Sequence, residues 1–209
     1  MVPLRPQPAA FVPDAAIALV ARFKGSRTYV HSTDLLAALE SEACRRLGSG
    51  AWVSHLTIRR QVGHAVDAWF GPREDAFGSF RAKGQSGELG GWLVESSRPI
   101  TLRVPYDEDA LLGHVQFEGD TARLPEAVDG FTRHEQMVTL WKALATRQVP
   151  GPWTVAQIDL DRPLPALGPL DVHYPRTIDG RLKLGVLSQN GLVLGRCRAF
   201  WLTRTSPEA

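Results

Sequence analysis

Apolar positions recur every three or four residues in two stretches of the chain. In the first, Leu35, Leu39, Ala43 and Leu47 share one helical face and Leu36 widens it. In the second, Met137, Leu140, Trp141 and Leu144 do the same. The spacing predicts one helix over about 33–47 and another over about 133–148. Each stretch runs into Gly-x-Trp, at Gly50 and Gly151, and glycine suits a helix C-terminal cap. Beyond each glycine the pattern turns to alternation. "WVSHLTIRR" sets Leu56 and Ile58 on one face, and "VAQIDLDR" does so through Ile158 and Leu160. "IALVARF" and "LLGHVQF", ahead of the two helices, read as short strands. Asp179-Gly180 and Asn190-Gly191 are hairpin turn signals, and "GLVLGRCRAFWL" reads as a long last strand.

The two stretches are copies of one unit. "FTRHEQMVTLWKALATRQVPGPW" lies over "VHSTDLLAALESEACRRLGSGAW" at a constant offset of 101. There Asp34 meets Glu135, Leu39 meets Leu140, Arg46 meets Arg147, Gly50 meets Gly151 and Trp52 meets Trp153. "LTIRR" meets "IDLDR" at offset 102, "SGELGG" meets "NGLVLG" at offset 104, and "RFKG" upstream resembles "QFEG". The series divides the chain into repeats over 1–105 and 106–209. Each carries the order β-α-β-β-β with a further strand. One helix covering a mostly antiparallel sheet is an α+β layer arrangement.

Composition narrows the function classes. The 209 residues are 44% hydrophobic, enough for a sizeable core. A net charge of +2, without a basic stripe, argues against nucleic acid as a partner. The two cysteines, Cys44 and Cys197, form no C-x-x-C pair and no disulfide framework. The N-terminus lacks the apolar core of a signal peptide, and no apolar run would span a bilayer. The expectation is a soluble, cytoplasmic protein. His55, His64, His114 and His173 belong to no H-x-H or H-E-x-x-H set, so no metal site is expected.

A long helix wrapped by an antiparallel sheet, in tandem copies of about 100 residues, resembles the double hotdog fold. The resemblance implies a tandem hotdog of two antiparallel sheets, each wrapping one long helix. The sheets would join edge to edge and the helices would lie side by side. It also implies chemistry on acyl thioesters of coenzyme A or of acyl carrier protein. Thioesterases, hydroxyacyl dehydratases and A-factor type condensing enzymes have this fold, with sites between the hotdogs near the helix N-termini. The chain departs from the dehydratase pattern H-x-x-x-G-x-x-x-x-P. His31 is followed by "STDLLAALE", without that glycine or proline. It also lacks G-x-S-x-G, which argues against a Ser-His-Asp hydrolase.

Thioester chemistry needs a polarised carbonyl, a base or carboxylate near the acyl carbon, and an apolar slot. A helix N-terminus supplies the first through its free N–H groups and dipole. His31 and Asp34 stand at the first helix start, and His134 and Glu135 at the second; these four are the catalytic candidates. Other readings stand beside them. Thr132-x-x-Glu135 fits a capping box, and Asp34 in a first helical turn is explained by the dipole. His31 and His134 read equally as surface histidines. Arg60 and Arg162, at matching places after two strands, are candidates for a coenzyme A phosphate or for plain solvation. Trp52 and Trp153 read as core anchors. "GPREDAFGS" is a polar loop that gates a cleft or only connects strands.

Two functions fit. One is a thioester-acting enzyme, a thioesterase or a hydroxyacyl dehydratase. In it Asp34 or Glu135 activates water, or His31 removes the proton alpha to the thioester. The other is a non-catalytic acyl-binding or assembly module of the same fold. Either takes acyl-CoA or acyl carrier protein as partner, with coenzyme A or phosphopantetheine as part of the substrate and no separate cofactor. Self-association into a homo-oligomer is compatible with both.

Overall fold

The computed structural model describes residues 16–178 and 180–201. The strands β1 (Ala16–Leu19) and β2 (Phe23–Lys24) precede the helix α1 (Ser32–Leu47). Five strands follow: β3 (Trp52–Ile58), β4 (His64–Trp69), β5 (Gly78–Gly84), β6 (Gly87–Pro99) and β7 (Arg103–Val104). A short helix, α2 (Glu108–Leu112), leads to β8 (Gln116–Glu118) and β9 (Thr121–Leu124). The second long helix, α3 (Arg133–Gln148), is followed by β10 (Trp153–Leu160), β11 (Leu170–Ile178), β12 (Leu182–Gln189) and β13 (Leu192–Trp201).

Both long helices have 16 residues, and both lie where the apolar period places them. They end at Leu47 and Gln148, as the spacing predicts, but not on the expected glycine caps. α1 stops at Gly48, whose φ of 93° lets its N–H reach the Cys44 carbonyl. α3 stops at the extended Val149, before Pro150, which cannot continue a helix. Gly50 and Gly151 therefore lie in the turns that enter β3 and β10 rather than at the caps. "LLGHVQF" is not one strand either. Leu111 and Leu112 close α2, and only Gln116 and Phe117 reach β8. Leu111 is fully buried, so its apolarity reflects a helix face.

The sheets of the two halves join edge to edge into one continuous sheet. Eleven strands run in the order β1-β4-β6-β5-β3-β10-β13-β12-β11-β9-β8, and all their pairings are antiparallel. The seam is the β3–β10 ladder, where Thr57 faces Gln157, Leu56 faces Ile158 and His55 faces Asp159. Leu56 and Ile158 are also partners at the repeat's offset of 102, so the seam crosses itself at equivalent residues. Both seam strands carry a bulge at matching places, after Val53 and after Val155. β2 and β7 form a separate parallel pair that holds Lys24 beside the helices.

The halves differ in strand order. Next to β3 lies β5, reached from β4 across the loop 70–77; next to β10 lies β13, the last strand. The β12–β13 hairpin turns at Asn190 and Gly191, with φ of 49° and 78°, as a two-residue turn with both central residues left-handed requires. Asp179 of the other turn signal lies outside the described residues.

Each long helix lies against its half of the sheet, which is the hotdog arrangement of an α+β protein with few helices. α1 buries Leu35, Leu36, Leu39, Ala43 and Leu47, and α3 buries Met137, Leu140, Trp141 and Leu144. One apolar core runs through both halves, from Val66 and Leu93 to Leu170 and Leu187. Each such side chain contributes roughly 1.5–3 kcal/mol on burial. Among the described residues, no helix is long and apolar enough to cross a membrane.

Candidate active site

The two helix starts are built differently. At α3 the Thr132 hydroxyl accepts from the Glu135 amide, and the Glu135 carboxylate accepts from the Thr132 amide at 2.6 Å, a complete capping box. At α1 the N-cap is His31, and its side chain makes no capping hydrogen bond among the described residues. The His31 carbonyl already accepts the amides of Asp34 and Leu35. Among the described residues the amides of Ser32 and Thr33 have no backbone partner, as at any helix start. The dipole adds positive potential there.

Between the two starts lies Lys24, only 2% exposed. Its ammonium donates to Glu135 Oε1 at 2.6 Å and to Thr33 Oγ1 at 2.8 Å, and pairs with Asp34 Oδ1 at 3.0 Å. Arg22 reaches the same Asp34 oxygen at 3.5 Å. Burial alone would raise the Glu135 carboxyl, but the Lys24 bond and the Thr132 amide outweigh it and hold its pKa below the ordinary value. Asp34 and Glu135, partners in the repeat, are thus brought together by one cation. Neither carboxylate lines the cleft at His31. Asp34 Oδ2 has no hydrogen-bond partner among the described residues.

His31 is the candidate that reaches open space. It is 5% exposed, and its ring lies between the rings of Tyr29 and Tyr106, with centroids 6.4 and 6.1 Å away. Burial, then the charges of Lys24, Lys142 and Arg27, push its pKa well below the ordinary value, so the ring is neutral at pH 7. Nδ1 lies 2.8 Å from Thr33 Oγ1. That oxygen already accepts from Lys24, and His31 Nδ1 is the acceptor in reach of the Thr33 hydroxyl proton. The ring proton is therefore assigned to Nε2. His31 and Ser32 line a cleft of about 270 Å³, walled by Tyr29, Ile58, Val138, Lys142, Trp153 and Val155. Ile58 comes from one half of the chain and Val138, Trp153 and Val155 from the other. The Lys142 ammonium is held at 2.8 Å by Glu108, which also pairs with Arg27. Against the effect of burial, these two cations keep the Glu108 pKa below its ordinary value.

The remaining candidates lie elsewhere. His134 is buried between the helices, with Nε2 3.3 Å from Glu40 Oε1 but without hydrogen-bond geometry. Arg60 is bound to Glu95 at 2.6 Å and lines a neighbouring cleft. Arg162 is exposed beyond β10. Because β3 and β10 are antiparallel, Arg60 and Arg162 follow opposite ends of the seam and cannot meet one phosphate. Trp153 is buried, with its indole donating to the Val149 carbonyl; Trp52 is half-buried.

Lys24, Thr33 and Lys142 were not singled out in the sequence. Lys24 carries one weak signal, since "RFKG" aligns with "QFEG" and places it opposite Glu118. Lysine is rarely buried unless paired, so nothing local marks it.

No family model matches the chain, and no curated protein matches it. Solved structures resemble it distantly. A candidate thioesterase from Novosphingobium aromaticivorans is 13% identical with a TM-score of 0.48, covering 93% of this chain and 100% of its own. The tesB protein of Mycobacterium avium is 15% identical with a TM-score of 0.46, covering 88% and 91%. The PpsC dehydratase domain of Mycobacterium tuberculosis, solved with C12:1-CoA, is 12% identical with a TM-score of 0.47, covering 83% and 85%.

Proposed function

We propose that the chain is a double hotdog protein that binds an acyl thioester in the His31 cleft and polarises its carbonyl for hydrolysis. The observation that carries this reading is the uncapped start of α1 opening, with a buried neutral His31, into a cleft between the halves. The carbonyl oxygen would accept from His31 Nε2–H and from the Ser32 and Thr33 amides. Such fixed donors stabilise the oxyanion that forms when water adds. In this arrangement His31 donates and does not act as the base. The acyl chain would run along Ile58, Val138, Trp153 and Val155, gaining roughly 0.8 kcal/mol per buried methylene. Asp34 and Glu135 would act on the site indirectly, by holding Lys24 and through it Thr33. Of the two arginines, Arg60 lines the neighbouring cleft and would have to exchange Glu95 for a coenzyme A or phosphopantetheine phosphate.

The non-catalytic acyl-binding module is the second reading. One observation favours it: no carboxylate lines the cleft among the described residues, so neither water activation nor dehydration has a carboxylate partner in place. The test is turnover on acyl-CoA and acyl-pantetheine esters of two to ten carbons, alongside binding of their non-hydrolysable ketone analogues. Hydrolysis that falls about 10²-fold in His31→Ala supports the enzyme. Analogue binding that rises with chain length, without turnover, leaves the module. Absence of both removes the thioester reading.

A further inference from the structure

A second polar network lies on the opposite face of the seam. His55 and Thr57 share one face of β3, with Leu56 between them turned to the core. Asp159 faces His55 across the seam, and Gln157 faces Thr57. His55 Nδ1 lies 2.6 Å from Asp159 Oδ1, and His55 Nε2 lies 2.9 Å from Thr57 Oγ1. Gln157 Nε2 donates to the other Asp159 oxygen at 2.6 Å, which fixes the plane of the carboxylate. Asp159 accepts the hydrogen bond from Nδ1–H, and in the neutral ring Nε2 then keeps its lone pair and accepts from the Thr57 hydroxyl. Burial alone would raise the Asp159 carboxyl, but the bonds from His55 and Gln157 and the charges of His55 and Arg198 outweigh it and hold its pKa below the ordinary value.

This is the order of groups that activates a hydroxyl nucleophile: hydroxyl, imidazole, carboxylate, each on the correct ring nitrogen. Such a set is recognised by geometry and not by sequence position, so the missing G-x-S-x-G does not bear on it. Thr57 also has somewhere to receive a substrate. It lines a cleft of about 430 Å³ together with Ile58, Thr154, Ala156 and Phe200. Arg59, Arg60 and Arg198 line the same cleft. Arg60 is taken up by Glu95, whereas Arg59 and Arg198 make no ion pair within 4 Å among the described residues. The β3–β10 ladder ends at Thr57 and Gln157, and the next residues, Ile58 and Ala156, line the cleft.

We propose that Thr57, His55 and Asp159 form a second, hydrolytic site, in the cleft that adjoins the His31 cleft and shares Ile58 and Val155 with it, for acyl esters that carry a negative charge. Thr57 Oγ1 adds to the ester carbonyl while its proton passes to His55 Nε2. The ester C–O bond breaks and the departing alcohol takes that proton, leaving an acyl-threonine. Water adds by the same route, the carboxylic acid leaves, and the Thr57 hydroxyl is restored. Arg59 and Arg198 supply the positive charge for the substrate's anion and for the oxyanion.

The test is covalent labelling of the full chain with an alkyl fluorophosphonate, read by mass spectrometry on the Thr57 peptide. It is paired with hydrolysis of p-nitrophenyl butyrate and p-nitrophenyl hemisuccinate. The expected result is one adduct on Thr57, formed at least 10-fold more slowly in His55→Gln and Asp159→Asn, with the hemisuccinate preferred. Thr57→Val loses the adduct while remaining folded by circular dichroism. A network that only braces the seam would lower the melting temperature of these variants and give no adduct in the unaltered protein. An unaltered protein without the adduct, or one whose labelling rate is unchanged in His55→Gln, overturns the proposal. Equal rates on the two esters overturn the anionic substrate class.

Discussion

Lys24 Nζ and Glu135 Oε1 are 2.6 Å apart, although 111 positions separate them in the chain. The same ammonium pairs with Asp34 at 3.0 Å, so the starts of α1 and α3 are tied through one buried cation. An ion group of this kind is costly to break from one side, because the remaining charges stay buried without a partner. It also sets the tautomer of His31, because Lys24 occupies the Thr33 oxygen and turns the hydroxyl proton toward Nδ1.

Removing the cation alone should therefore be severe. Lys24→Met leaves Asp34 and Glu135 facing each other in the interior and is expected to cost about 3–5 kcal/mol. Lys24→Met combined with Asp34→Asn and Glu135→Gln should recover more than half of that loss. Urea unfolding of the single and triple variants measures both. Equal destabilisation of the two would show that lost packing, and not stranded charge, is the cause.

Acid should weaken the fold through a defined set of carboxylates. The folded pKa values of Glu135 and Glu108 are depressed, and that of Glu95, held by Arg60, His64 and the Gly63 amide against the effect of burial, is pushed down to about 2. A depressed carboxylate contributes stability that is complete above its unfolded value, roughly 4.3, and is lost as pH falls through the folded value. The part of the urea midpoint that these carboxylates supply, read in a His31→Gln background, should stay level down to about pH 5 and fall steadily toward about pH 2. A midpoint unchanged at pH 3 would contradict this assignment.

His31 acts in a higher window and through the unfolded state. Its folded pKa lies well below the ordinary value, so below about pH 6.5 the unfolded chain binds a proton that the folded chain refuses. Stability should rise with pH up to roughly 6.5 from this group and be flat above it. In His31→Gln the rise between about pH 5 and 6.5 should shrink. If both proteins give the same curve there, the imidazole is not held neutral.

Gly50 and Gly151 are partners in the repeat, yet they are glycine for different reasons. Gly50 has φ of 80°, and a Cβ there would meet nothing within 4 Å, so Gly50→Ala should cost only the left-handed strain, roughly 1–2 kcal/mol. A Cβ on Gly151 would stand 2.2 Å from the Trp201 ring, which itself packs edge-on against Trp153. Gly151→Ala should therefore cost more and should also disturb the His31 cleft, which Gly151 and Trp153 line. Thermal unfolding ranks the two; a milder effect at Gly151 would mean that Trp201 moves aside freely.

What the chain's own pattern determined is local. A period near four sets both helices, alternation sets β3 and β10, and Asn190-Gly191 sets a two-residue hairpin, because each depends on neighbours within a few residues. The capping box at Thr132 and Glu135 was legible for the same reason. Tertiary structure decided the rest. The two halves share one continuous sheet because β3 and β10, about 100 positions apart, pair in a ladder, and the halves order their last two strands differently. Lys24 becomes the cation at the centre of the site only because the β2–β7 pair carries it between two helix starts. Arg60 and Arg162 look equivalent in the sequence and part company because antiparallel strands send equivalent ends in opposite directions. Long-range pairing of this kind leaves no trace in local periodicity, since the energy that selects it comes from burial and charge neutralisation between segments remote in sequence.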